Sequence, residues 1–133
     1  MVPVREENDG SLVRVTLTGV ITLAELEAHF ERMRCLLERV AGPVATVVDG
    51  SAFDHRALRW AHLGVLRRVV GDLRPLLRGR YVAEAFVSAD RGVRRAVEVT
   101  RLFARPAKAH QTFASLEEAE GWARSKLRAA RRP

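Results

Sequence analysis

Ser51, Asp54 and His55 fall inside one short segment, DGSAFDH (49–55). A serine, a carboxylate and an imidazole are the parts of a nucleophilic hydrolase. The spacing works against that chemistry, because a triad needs the base to reach the nucleophile while a third group orients the base. Adjacent Asp54 and His55 project in diverging directions, and no glycine elbow surrounds Ser51. No catalytic residue is assigned, and the chain is expected not to be an enzyme. The same residue types suit a second task at the carboxyl ends of parallel strands. There Asp49, Ser51, Asp54, His55 and Arg56, joined by Ser88, Asp90 and Arg91 from another loop, would present helix amides and arginines to a small anion or to a protein partner's carboxylates. A plainer role competes, in which Ser51, Asp54 and Asp90 cap turns and helices while the arginines stay solvated.

Metal chemistry finds no support. His55 and His62 are seven residues apart, about two helical turns or ~10 Å, too far to share one ion without a third element. His29 and His110 have no ligand spacing either, so all four histidines are expected at the surface or half-buried. Neither a metal nor a cofactor is expected. Cys35 is the single cysteine, so no intramolecular disulfide can form, and it reads as a small packed residue.

Such a rim needs elements that end together. Residues 11–18, SLVRVTLT, set Val13, Val15 and Leu17 against Arg14, Thr16 and Thr18, the alternation of a strand. Asn8 to Gly10 makes a turn before it, and Val2 to Arg5 is expected to pair with it as a hairpin edge. Leu23, Leu26, Phe30, Met33, Leu37 and Val40 recur at helical steps. Thr22 and Glu25 form a capping box, Ile21 staples onto Leu26, and Gly42 with Pro43 ends the helix. Val44 to Val48 is apolar enough to be a strand covered on both faces, and Asp49 to Asp54 reads as a loop. Residues 56–71 read as a helix with Leu58, Val65, Leu66 and Val69 inward. Pro75 is expected to interrupt it, leaving Asp72 to Leu77 as a separate short turn or helix. Tyr81 to Ser88 is a third core strand, and Asp90 caps a helix through Val93, Val97 and Phe103 to the break at Pro106. Ala109 to Phe113 is the last strand. A second capping box, Ser115 with Glu118, opens a helix whose apolar stripe is Leu116, Ala119, Trp122, Ala123 and Leu127.

This alternation predicts a single α/β domain: a mixed, mostly parallel β-sheet with an N-terminal antiparallel β-hairpin and four helices. The domain is expected over 1–123, with 124–133 as the basic end of the last helix and a frayed tail. At 133 residues, folding buries about two-thirds of the chain's surface, so no disulfide framework is needed. A composition of 47% hydrophobic and 29% charged residues excludes disordered and collagen-like classes. The net charge of +7 is mostly an end effect, because Arg124, Lys126, Arg128, Arg131 and Arg132 follow the last acid, Glu120. A basic excess can attract nucleic acid, anionic lipid or acidic partners. No aromatic-interleaved basic strand accompanies it, so non-specific nucleic-acid binding through arginine surfaces stands as the second alternative. Trp60 and Leu63 beside Arg59, Arg67 and Arg68 could lie on a membrane surface or a partner. MVPVREENDG lacks the apolar stretch of a signal peptide and no apolar run could cross a bilayer, so a cytoplasmic location is expected. A homodimer is compatible with these features.

The leading hairpin, the strand–helix alternation, the loop DGSAFDH and the ending TFASLEEAEGWARSKL together resemble the SpoIIAA-like group of STAS domains. These are bacterial proteins related to anti-sigma-factor antagonists and to the cytoplasmic domains of sulfate transporters. The most specific part of the resemblance is Phe113, Leu116, Glu117, Glu118, Ala119 and Trp122. It implies a small mixed-sheet regulatory or ligand-binding domain, not an enzyme. In the antagonist branch a serine at the start of the helix after the central strand, in a context resembling Asp-Ser-Ser-Gly, is phosphorylated by a partner kinase. Here Asp49 and Ser51 echo the preceding Asp-x-Ser, but Phe53 is followed by Asp54, His55 and Arg56, with no serine at the switch position. Ser51 is left as a substitute phosphorylation candidate. Some related domains bind apolar or lipid-like ligands between helix and sheet, resembling a reduced CRAL-TRIO fold. That first alternative, a lipid or apolar-molecule carrier, requires an internal pocket of at least ~300 Å³.

Overall fold

In the computed structural model, which describes residues 4–131, the chain opens with two antiparallel strands, β1 (Val4–Asp9) and β2 (Leu12–Gly19). The hairpin edge therefore lies at Val4–Asp9, longer and later than the expected Val2–Arg5, whose first residues fall outside the described range. Asp9 pairs with Leu12 across a two-residue turn. Gly10 takes φ +64 in it, the left-handed first position that suits the twist of a hairpin.

Then follow α1 (Leu23–Arg39), β3 (Val44–Phe53), a 3₁₀ turn (His55–Ala57), α2 (Trp60–Leu77), β4 (Tyr81–Val87), α3 (Arg91–Phe103), β5 (Ala109–Phe113) and α4 (Leu116–Arg131). The sheet order is β1-β2-β3-β4-β5, with β2 to β5 mutually parallel. Because consecutive parallel strands add in one direction, right-handed crossovers place α1, α2 and α3 on one face. Only α4 is left for the other. The burial agrees: Val13, Val44, Val48 and Phe86 meet Leu37, Val70 and Val93 on the three-helix side, whereas Leu12, Ala45, Val47, Ala83 and Ala85 meet Ala119, Ala123 and Leu127 of α4. Alanines on both surfaces of that second layer allow close approach.

Three boundaries differ from the expectation. β3 runs on to Phe53 instead of stopping at Val48, because β2 continues to pair with it through Thr18–Ala52 and Gly19–Phe53. Asp49, Gly50 and Ser51 are thus strand residues. The second helix begins at Trp60 and not at 56, since Asp54 caps a 3₁₀ turn and Leu58 and Arg59 are extended. That later start resets the inward stripe to His62, Leu66, Val70, Leu73 and Leu77. Pro75 does not end α2; it lies in the last turn, where the missing N–H costs one backbone bond, and the helix continues to buried Leu77. α4 keeps helical geometry to Arg131, whose guanidinium donates to Ser11 Oγ at 2.7 Å. The tail at 132–133 lies outside the described residues.

Candidate functional site: a strand-end rim and an apolar cavity

The two sequence-expected loops do meet. His55, in the 3₁₀ turn, lies against Gly92 in the first turn of α3, so closely that a Cβ at Gly92 would stand 2.6 Å from the imidazole Nε2. This contact brings Asp54, His55 and Arg56 beside Asp90 and Arg91. Asp49 is in register with Val87, immediately before Ser88, and its Oδ1 accepts the Ser51 N–H at 3.0 Å. Ser51 itself is exposed on the end of β3 and not at a helix start.

Most of these groups serve the local backbone. Asp54 Oδ1 accepts the Arg56 N–H at 3.0 Å and the Arg56 Nε at 3.0 Å. Those hydrogen bonds, with the Arg56 charge, hold the half-buried Asp54 carboxyl below its ordinary range. Asp90 caps α3 by accepting the Val93 N–H at 3.1 Å, and buried Ser88 Oγ accepts the Asp90 N–H at 3.1 Å. Arg94 Nε donates to the Ser88 carbonyl at 2.7 Å. The carboxylates therefore already occupy donors that a free anion would need. Arg91 differs: it is exposed and takes no carboxylate among the described residues. Ser51 makes no hydrogen bond to His55 among the described residues, whose ring packs on Gly92 instead.

His62 departs from the expected surface or half-buried setting. It is buried, its Nδ1 accepts the Arg59 N–H at 3.1 Å, and its Nε2 faces the Ile21 carbonyl at 2.8 Å. The ring is therefore a neutral Nε2–H tautomer, spent on joining the starts of α1 and α2. Among the described residues no three His, Cys, Asp or Glu side chains gather as metal ligands, and no helix is long and apolar enough to cross a membrane.

A second polar group went unforeseen. Glu84 sits in the apolar strand YVAEAFV on the three-helix face, and His110 Nε2 on β5 stands 3.4 Å from its Oε2. Arg101, on α3, donates from Nη1 to Thr112 Oγ1 at 3.4 Å, while its Nη2 is buried without a partner. Burial pushes the Glu84 carboxyl up, but the His110 contact and the charges of His110 and Arg101 outweigh it and leave the group below its usual range. Tyr81, beside it, is linked to Thr46 Oγ1 at 2.5 Å; burial and the Glu84 charge raise its hydroxyl well above the ordinary value. A lone carboxylate in a core strand was the sequence signal available.

Glu84 forms part of the wall of a cavity of about 170 Å³ between the sheet and α1, α2 and α3, otherwise mainly apolar with Leu26, Phe30, Leu66, Phe86 and Val97. That is smaller than the ~300 Å³ set for a lipid carrier.

Neither a protein-family model nor a curated protein sequence matches the chain. Solved structures do. An uncharacterized DUF3478-family protein with a SpoIIAA-like fold from Shewanella loihica PV-4 superposes with TM-score 0.60 at 17% identity, covering 90% of this chain and 91% of that one. An anti-sigma factor antagonist from Mycobacterium paratuberculosis gives TM-score 0.57 at 19% identity over 91% and 92%. The anti-sigma factor antagonist SpoIIAA in its unphosphorylated form gives 0.60 at 14% identity over 91% and 97%. With a leading antiparallel strand, a parallel remainder and four helices split three to one across the sheet, the chain has the SpoIIAA-like, STAS-type fold.

Proposed function

We propose that this chain is a non-catalytic regulatory domain that docks an acidic protein surface along α3 and the adjoining rim. One exposed stripe carries the reading. Arg91, Arg95, Val99 and Leu102 follow one another on α3 at steps of four, four and three, so they share a face, and all are exposed. Leu102 keeps 77% of its surface and Trp60 76%, and Trp60 meets Phe103 edge-on with ring centroids 5.9 Å apart. The half nearest the rim is basic, with Glu98 as the only acid in the helix; the far half is apolar.

Aromatic and arginine anchors dominate the energy of protein interfaces. Nucleic acid would use the arginines alone and leave the apolar half idle. Two of the solved structures with this fold are anti-sigma factor antagonists, whose name implies a protein target. Within the rim, Arg91 supplies the outward charge, while Asp49 and Ser51 at the end of β3 and Asp54, His55, Arg56, Ser88 and Asp90 in the turns shape the surface beside it.

The test starts from proteins captured in native cell extract by the intact chain and remeasures a purified candidate against variants. Arg91→Glu with Arg95→Glu, and separately Trp60→Ala with Leu102→Ala, are expected to weaken binding at least about tenfold, with unchanged circular dichroism. A partner indifferent to both pairs, or one displaced fully by duplex DNA, would sink the reading.

A further inference from the structure

The cavity under α1, α2 and α3 has a size and a pair of open polar groups, Glu84 and Arg101, that together specify an occupant. Its volume, about 170 Å³, is close to that of an apolar cavity of about 150 Å³ that takes up benzene and stays dry. It is below the range of pockets that take a drug-sized ligand. Most of its polar wall groups are already engaged. His29 Nδ1 is on Glu6 at 2.7 Å, both His62 nitrogens are paired, and Thr100 Oγ1 donates to the Ala96 carbonyl at 2.8 Å. Glu84 is different. Its side chain keeps 22% of its surface open, and apart from the long His110 contact and the nearby Tyr81 hydroxyl its carboxylate has unused acceptor positions.

The neighbours of Glu84 narrow the chemistry further. A ligand carboxylate drawn to the unpartnered Arg101 Nη2 would be repelled by Glu84, and an ammonium drawn to Glu84 would meet the Arg101 guanidinium, which also lines the cavity. A neutral hydroxyl fits both. We infer that this cavity binds a one-ring aromatic molecule, or an apolar one of that size, whose hydroxyl donates to Glu84. The inference is independent of the partner surface, which lies on the outer side of α3.

The experiment titrates the ¹⁵N-labelled full chain with p-cresol, toluene and octanoate, following amide shifts. Saturable changes centred on Leu66, Phe86 and Val97 are expected for p-cresol and toluene, with p-cresol tighter by about tenfold, the worth of one hydrogen bond to a charged acceptor. Glu84→Gln should cut that preference to about threefold or less. Ala96→Leu, which fills the space, should abolish binding of both. If Glu84→Gln fails to fold, the wild-type p-cresol to toluene ratio and Ala96→Leu still decide. No saturable change in the folded wild type would overturn the inference, as would binding that survives Ala96→Leu, equal affinity for p-cresol and toluene, or tighter binding of octanoate.

Discussion

Glu6 ties the edge strand β1 to α1, accepting from His29 Nδ1 at 2.7 Å and from Arg32 Nε at 2.7 Å. Burial raises its carboxyl, but the two hydrogen bonds and charges prevail and lower it from 4.5 to about 2. The ionised form is favoured by the fold, so its contribution is complete above pH 4.5 and is lost as pH falls toward 2. A shift of that size on a group with 16% of its side chain exposed corresponds to a few kcal/mol. Glu6→Gln is expected to be less stable than wild type at pH 6, with the gap closing by pH 2; urea unfolding across that range checks it. A gap that stays constant would mean the pairing contributes nothing in solution. At this scale the caps were legible, because Thr22, Asp54, Asp90 and Ser115 are short polar side chains placed where helix amides need acceptors, and each accepts one. Glu84 was not, since its partners His110 and Arg101 come from elements remote in the chain.

Two glycines show how elements constrain one another. At Gly50 an added Cβ would stand 2.4 Å from Phe86 Cζ, a ring that is itself buried between β4 and the three-helix layer. Gly50→Ala is expected to cost about 1–3 kcal/mol, because a packed ring must shift. A change below 0.5 kcal/mol in urea unfolding would show that Phe86 relocates freely. Gly92→Ala places its Cβ against the His55 ring at the edge of the fold. Stability there should change by less than about 1 kcal/mol, while the His55 ring proton resonances move, reporting separation of the 3₁₀ turn from α3. Strand and helix existence followed from period alone: Val13, Val15 and Leu17 on β2, and the α1 stripe. Boundaries did not. The extension of β3 to Phe53 depends on β2 as a neighbour, and the passage of α2 through Pro75 depends on the burial of Leu73 and Leu77.

For the whole molecule, the two buried layers share one sheet, with Val44, Val48 and Phe86 facing one side while Ala45, Val47 and Ala85 face the other. Neither layer can open without disrupting strands that serve both, so unfolding should be a single transition. Trp122, packed on Phe113 at 5.6 Å, reports the α4 side. In a Trp60→Phe background its fluorescence midpoint in urea is expected to coincide with the far-ultraviolet circular dichroism midpoint, and a separation would show that α4 detaches independently. The sequence by itself determined the class of fold, the order of elements and the caps, because periodicity and capping act over a few neighbouring residues. Only the tertiary structure decided how closely His55 seats on Gly92, that Arg91 and Arg95 line up with Leu102 and Trp60 on one outer surface, and that a half-open cavity forms beside Glu84. Those are distances between segments far apart in the chain, set by crossover handedness and side-chain volume, and no local pattern records them.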